Sequence, residues 1–337
     1  MPDNNGPRLS FSSAIGAAMA QWVDALRGPR GCFFTFHRAA PSSIWPTLPN
    51  RNFYLDLDFF DTLLSHLAAS GRKVVTIEEG LRLARDPKTR GTFVNFSVDD
   101  CYRDTYEAVV PLFRRHGLPV TLFVTTGIPD GTLPMWWVGL EETLLERDFV
   151  LVDGERIATD TTQRAAAVFQ DLQTRWSGVG ASNHYARFCL ENAVDAEAVH
   201  WRHAITWDML SELATDPLVE IGSHTVSHPR VSLLTSEDAR HELRDSRTRL
   251  REKLNVPVTQ FAFPFGRVDD CGPRDFEIAR ETGYQGVATT TKGLLTGATA
   301  PFAYPRVTLN GAHRNLLMPE LHMAGATAAA ARMLGRV

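Results

Sequence analysis

Two short segments, Ser97-Val98-Asp99-Asp100 and Gly222-Ser223-His224-Thr225-Val226-Ser227-His228, carry the residue types that activate water. A divalent ion that does so needs three protein ligands and an open position. Asp100, His224 and His228 supply one oxygen and two imidazole nitrogens, and the adjacent Asp99 stays free to take a proton from the bound water. Alone, each segment says little, because an Asp pair after a strand is commonly a turn or a helix cap and an isolated HxxxH is commonly two surface histidines. Together, each at the end of a strand, they read as the centre of a metal-dependent hydrolase. Zinc suits these donors, and cobalt, nickel and iron(II) accept them too.

The elements before them must do the positioning. The apolar run over residues 92–98 places Asp99 and Asp100 at its C-terminal end, where barrel enzymes keep catalytic groups. Adjacent residues of an extended chain point opposite ways, so one carboxylate can bind the ion while the other faces substrate. The run over 218–221 serves His224 and His228 likewise, and in a helical turn their separation directs both rings to one side. Ser223, Thr225 and Ser227 either orient those rings or cap the next turn.

Six more β-branched or aromatic runs, over 33–37, 73–77, 120–125, 259–263, 286–289 and 306–309, alternate with helical patterns. Such alternation predicts parallel β/α units, an α/β barrel of about seven or eight strands. A helix over 104–116 stops at Gly117 before Pro119. Another begins at the cap-like Thr235 and carries Ala239, Leu243, Leu250 and Leu254 on one face. Between Pro134 and Trp207 the alternation breaks into a hairpin-like stretch over 149–157 and polar helices, an insertion over the barrel rim. The expected division is an N-terminal helical extension over 1–30, a barrel over 31–312 with its insertion at 134–206, and a C-terminal helix over 313–337.

Composition narrows the class. At 337 residues and 44% hydrophobic content the chain can bury a sizeable core. Its net charge of −4, from 35 Lys and Arg against 39 Asp and Glu, implies no nucleic-acid partner. Four scattered cysteines, Cys32, Cys101, Cys189 and Cys271, read as thiols. The start shows no basic segment followed by an apolar run, and no stretch reaches the roughly 18 apolar residues of a membrane span. These points lead to the expectation of a cytoplasmic protein. Residues 13–26 form a weakly amphipathic helix that packs on the body or lies against the inner membrane surface.

A third block, Phe261-Ala262-Phe263-Pro264-Phe265-Gly266, again ends a strand. In order and context the three blocks resemble those of the polysaccharide deacetylases of the NodB homology group, carbohydrate esterase family 4. That family's pattern has a Thr-Phe-Asp-Asp-Gly block, a His-Thr-x-x-x-His block and an Arg-x-Pro-Tyr-Gly block. The segments starting at Tyr102, Val110, Pro119 and Trp207 look like the family too, so the likeness runs from about Phe33 to Leu309.

The resemblance implies a distorted (β/α) barrel of the NodB type with Asp99 as general base and Asp100, His224 and His228 as metal ligands. It also implies that the Phe265 backbone N–H, beside Pro264, forms part of an oxyanion site. There are departures. Ala262 stands where many relatives carry an arginine that pairs with the base, and Arg306, at the last strand, is the candidate to replace it. Cys101 takes the place of a glycine, and Phe265 that of a tyrosine. The late Leu-x-x-His-like block that supplies a general acid is missing, leaving His37, at the end of the first strand, and His313 as candidates. Trp136, Trp137 and Trp207 can stack on sugar rings, and Trp136 and Trp137 cannot both point inward from a regular strand.

The expected activity is removal of N-acetyl groups from an amino sugar in an oligosaccharide, polysaccharide or glycolipid precursor. Hydrolysis of another C–N amide, in a formyl-sugar or ureide, uses the same chemistry, and a carbohydrate-binding protein with weakened catalysis is the reading from a different class. Nothing in the sequence sets an oligomeric state.

Overall fold

The computed structural model describes residue 28, residues 30–176 and residues 180–334, so the helix expected over 13–26 lies outside the described residues. Seven strands, β1 (Arg30–Phe36), β2 (Thr92–Asp100), β3 (Val120–Val124), β4 (Val219–Ser223), β5 (Gln260–Ala262), β6 (Gly286–Ala288) and β7 (Val307–Thr308), form one sheet. Their order is β6-β5-β4-β3-β2-β1-β7, with every pair parallel. The sheet curls into a distorted half-barrel of the kind expected. Its edges approach through one segment: the Tyr304 N–H donates to Val287 O at 3.0 Å, and three residues later β7 pairs with β1.

The strand expected over 73–77 is reduced to a single bridge between Val74 and Val94. Thr76 is the reason. Its hydroxyl accepts from Glu79 N at 3.2 Å and starts the helix Ile77–Arg85, which turns the chain away before a ladder can extend.

Strand β2 carries the central alternation. All nine of its residues are buried, as befits a parallel strand covered on both faces. Val94, Phe96 and Val98 point outward. There the Phe96 ring lies 5.5 Å from Phe34, 5.4 Å from Phe60 and 5.7 Å from Phe113, beneath helices Leu57–Ala69 and Val110–His116. Asn95, Ser97 and Asp99 point inward, above an apolar plug that includes Phe33, Phe93, Phe123 and Tyr304 and is closed by Leu81 of the Ile77–Arg85 helix. At Gly222 of β4 a β-carbon would lie 2.6 Å from the Phe123 ring, so the inward ring requires glycine there.

The helix after Asp100 is irregular. A π-turn over Thr105–Val109, in which Val110 N bonds Thr105 O, precedes the regular Val110–His116. Pro111 lacks the N–H that an unbroken α-helix would need at that point. Gly117 ends the element with φ +62°, where it was expected to stop.

The segment over 134–206 builds a small core of its own, including Leu140, Leu144, Phe169, Leu172, Trp176 and Phe188. Around it lie helices Trp136–Glu146, Thr162–Trp176, Ala181–Asn192 and Ala196–His203 and the hairpin Phe149–Val152 with Glu155–Ala158. Two short helices, Leu317–Met323 and Ala326–Met333, close the described chain, separated by Gly325 at φ +79°.

Truncating the fully buried Phe96 removes contacts with three rings at once. Phe96→Ala is expected to lose about 3–5 kcal/mol of unfolding free energy, read from urea denaturation, and a loss below about 1 kcal/mol would contradict this packing.

Candidate active site

The described residues hold one cluster with metal-ligand geometry: Asp100 with His224 and His228, their ligand atoms all within 4.8 Å of one another. Asp100 Oδ1 lies 3.5 Å from His224 Nε2 and 3.2 Å from His228 Nε2. That oxygen is buried and accepts no hydrogen bond of good geometry among the described residues. A buried carboxylate oxygen in that condition costs about 1–3 kcal/mol unless another partner meets it. One oxygen and two imidazole nitrogens facing a common point fit a divalent ion with a coordination position to spare.

The donor states agree. The His224 Nδ1–H donates to Ala262 O at 2.7 Å, which leaves Nε2 with its lone pair toward Asp100. Burial pushes the pKa of His224 down to about 4, so the ring is neutral. For Asp100, burial acts upward, and the facing His228 outweighs it and holds the carboxyl far below the usual range.

Backbone strain gathers here. Of the eight non-glycine described residues with positive φ, five are Asp100, Cys101, Thr225, His228 and Phe265. The left-handed region costs an L-residue about 1–2 kcal/mol, so something must hold these turns. The Thr225 hydroxyl accepts from His228 N at 3.0 Å. Glu242, from helix Ser236–Leu254, accepts from Val226 N at 2.8 Å, Ser227 N at 3.0 Å and the Ser227 hydroxyl at 2.6 Å. Thr225 and Ser227 therefore brace the loop rather than orient the rings, and Ser223 bonds Ser246. Cys101 adopts the conformation of the glycine it replaces, φ +68°, with its thiol packed near Val98 O and Phe123 O.

Asp99 points into the barrel and meets Arg306. The guanidinium donates to Oδ1 from Nη1 at 2.6 Å and to Oδ2 from Nη2 at 2.9 Å. Nη1 also donates to Thr35 Oγ1 at 3.0 Å and Ser97 Oγ at 2.9 Å. Both charged side chains are buried, Arg306 completely. Burial raises the pKa of Asp99, but the Arg306 charge and its hydrogen bonds bring it below the ordinary carboxylate range.

The other expected site residues divide. His37 directly follows β1, whose Phe36 is paired with Val98, so it stands level with Asp99. Its ring lies 4.8 Å from that of Phe53. Phe265 is 45% exposed, its ring 5.1 Å from that of His228. Thr290 fixes the loop by donating from Oγ1 to Phe265 O at 2.6 Å and from N to Gly266 O at 2.8 Å. The Phe265 N–H has no acceptor among the described residues. Pro264 is buried in that turn, its carbonyl accepting from Gly266 N.

Three expectations need correction. Trp136 sits in a helix rather than a strand, and its ring joins the insertion core 5.9 Å from Trp176. The neighbouring Trp137 faces the site instead, 6.5 Å from the His228 ring. Trp207 bonds Asp130 Oδ1 at 2.9 Å and lies under Arg249 and Lys253, so its face meets cations of a surface helix and not the barrel mouth. His313 packs 5.7 Å from His322, which adjoins Phe34 on the outer side of β1.

Sequence reasoning gave no role to Tyr102, whose hydroxyl donates to Asp100 Oδ2 at 2.8 Å. Trp137 Nε1 in turn donates to that hydroxyl at 3.0 Å. Glu242 was missed as well. Tyr102 stands two residues after a ligand, a spacing that signals contact only once the turn at Asp100 is known, and Glu242 looks like any acid on a charged helix.

Comparison with known proteins adds the following. The polysaccharide deacetylase family profile matches residues 153–287, a span with His224, His228 and the Phe265 loop but without Asp99 and Asp100. The provisionally named polysaccharide deacetylase YxkH of Bacillus subtilis (strain 168) is 20% identical over 249 residues, 74% of this chain. The chain spans 63% of that relative's length. Among solved structures, the Streptococcus pyogenes deacetylase PplD in complex with acetate superposes with a TM-score of 0.57 at 17% identity, covering 84% of this chain and 93% of PplD. IcaB from Ammonifex degensii gives 0.56 at 17% identity, with 89% and 98% covered. At such identities the structural likeness concerns the fold.

Removing Arg306 would strand a buried carboxylate. Arg306→Met is expected to destabilise the protein by about 3–5 kcal/mol in urea denaturation, and adding Asp99→Asn should restore more than half of the loss. Equal destabilisation in the single and double variants would show that the two side chains are not coupled.

Proposed function

We propose that the chain, whose residues 153–287 match the polysaccharide deacetylase family, is a metal-dependent hydrolase of that family removing N-acetyl groups from an amino sugar in an oligosaccharide, polysaccharide or glycolipid precursor. One observation carries the reading: the orphaned Asp100 Oδ1 faces two imidazole nitrogens while its neighbour Asp99 is held ionised by Arg306. Asp100, His224 and His228 would hold the ion, zinc being the best match to these donors. When bound, a divalent ion there polarises an acetamide carbonyl and acidifies water.

The chain's own groups supply the remainder. Arg306 takes one lone pair of each Asp99 oxygen, and a carboxylate oxygen has a second. Asp99 is thereby kept anionic and able to receive a proton from the attacking water. The Phe265 N–H is a donor without an internal acceptor, suited to the oxyanion that forms when the amide carbonyl becomes tetrahedral. His37, level with Asp99, is positioned to return a proton to the leaving amine. Exposed Phe265 and half-buried Trp137 flank His228 and offer flat apolar surfaces to a pyranose ring.

The four cysteines are all buried thiols, which supports a reducing compartment and hence the cytoplasm. Among the described residues no helix is long and apolar enough to cross a membrane.

Acetate release from N-acetylglucosamine oligomers tests the proposal. Turnover should vanish with chelator, return with added Zn²⁺, and fall about 10²–10⁴-fold in Asp99→Asn. Turnover that survives complete metal removal would reject the metal reading. An inert protein with metal bound would point to a formyl-sugar or ureide amide, or to binding without catalysis.

A further inference from the structure

We infer that Tyr102 and Trp137 form a directional hydrogen-bond relay that orients Asp100 to present a single oxygen, Oδ1, to the ion, making the insertion part of the metal site. The inference rests on the metal reading above and assigns Tyr102 and Trp137 as positioning residues.

Proton inventory gives the relay its direction. An indole N–H can only donate. The 3.0 Å contact from Trp137 Nε1 therefore makes the Tyr102 oxygen an acceptor, and the phenol's own proton goes to Asp100 Oδ2 at 2.8 Å. With Oδ2 committed, Oδ1 is the oxygen turned toward His224 and His228.

The phenol is held in place. Tyr102 is fully buried, with the Arg38 guanidinium 5.0 Å from its ring centre and the Phe53 ring at 6.0 Å edge-on. Arg38 is itself tied to the Tyr54 hydroxyl at 2.7 Å and paired with Asp104 at 3.4 Å. The outer end belongs to another part of the fold, since Trp137 lies in the first turn of helix Trp136–Glu146, with which the insertion begins. Glu141 of that helix accepts from Asn50 N at 2.9 Å and from the Tyr54 hydroxyl, so the helix that carries Trp137 is anchored to the same aromatic and arginine cluster that holds Tyr102. A sugar pressed against Trp137 would act on a metal ligand through two hydrogen bonds.

The test compares the full chain with Tyr102→Phe, Trp137→Phe and the double variant. Zn²⁺ affinity is read by competition with a chromophoric chelator, and ligand geometry by the visible absorption of the Co²⁺-loaded protein. Tyr102→Phe should weaken Zn²⁺ binding about 10–100-fold and alter the Co²⁺ bands. Trp137→Phe keeps a ring but removes the donor, and should shift both readouts the same way by less. The double variant should be no weaker than Tyr102→Phe alone, because the relay is serial. Unaltered affinity and bands in Tyr102→Phe would overturn the inference; should that variant fail to fold, unaltered readouts in Trp137→Phe would do the same. A parent that binds neither ion overturns the metal reading and this inference with it, whereas a parent that binds and variants that match it overturn this inference alone.

Discussion

Two adjacent carboxylates buried at the end of one strand must each be met by polar partners of their own, and the fold is arranged around that demand. Desolvating an unpaired carboxylate costs several kcal/mol, more than a typical protein can lose in one place. Asp99 is met from the β7 edge of the sheet by Arg306, which enters just ahead of β7 and also bonds Thr35 of β1. Asp100 is met from β4 by the two imidazoles. Because the demand is answered from opposite directions, one side chain is fixed as a paired anion and the other is left facing two imidazoles, as the proposed ligand. The chemical division of labour between neighbours in sequence thus follows from topology.

The same crowding explains why strain collects at the mouth. The chain turns sharply after β2, β4 and β5, bringing Asp100 beside His228 and His228 beside the Phe265 ring, and at each turn a non-glycine residue takes positive φ. Glu242 and Thr290 hold two of these turns by hydrogen bonds to backbone groups. Under the proposed function, rigid support of this kind would keep donors and ligands set before substrate arrives, which electrostatic catalysis requires.

What could be read beforehand followed local rules. The apolar run over residues 92–98, the glycine stop at Gly117 and the cap at Thr235 are short-range signals, and a buried strand, a helix end and a helix start stand there. The convergence of Asp100 with His224 and His228 could be anticipated because both blocks close parallel strands, whose C-terminal ends share one side of a sheet. Arg306 could be nominated once Ala262 left the base without a partner. Failures came where side-chain direction depended on an element's type or on a distant neighbour. Trp136 and Trp137, which cannot both point inward from a regular strand, both lie on a helix, where successive residues diverge by about 100°, and it is Trp137 that lies beside His228. Trp207 lies next to Asp130 and the cations of helix Ser236–Leu254, contacts between segments far apart in the chain. Lys73 to Ile77 has strand-like composition, yet the cap at Thr76 prevailed.

The most direct measurement is anomalous diffraction at the zinc edge from crystals grown with Zn²⁺. The account predicts one strong peak within about 2.0–2.2 Å of Asp100 Oδ1, His224 Nε2 and His228 Nε2, with Asp99 outside coordination distance and still forked to Arg306. A peak bound by Asp99, or three side chains pointing apart around an empty centre, would contradict it.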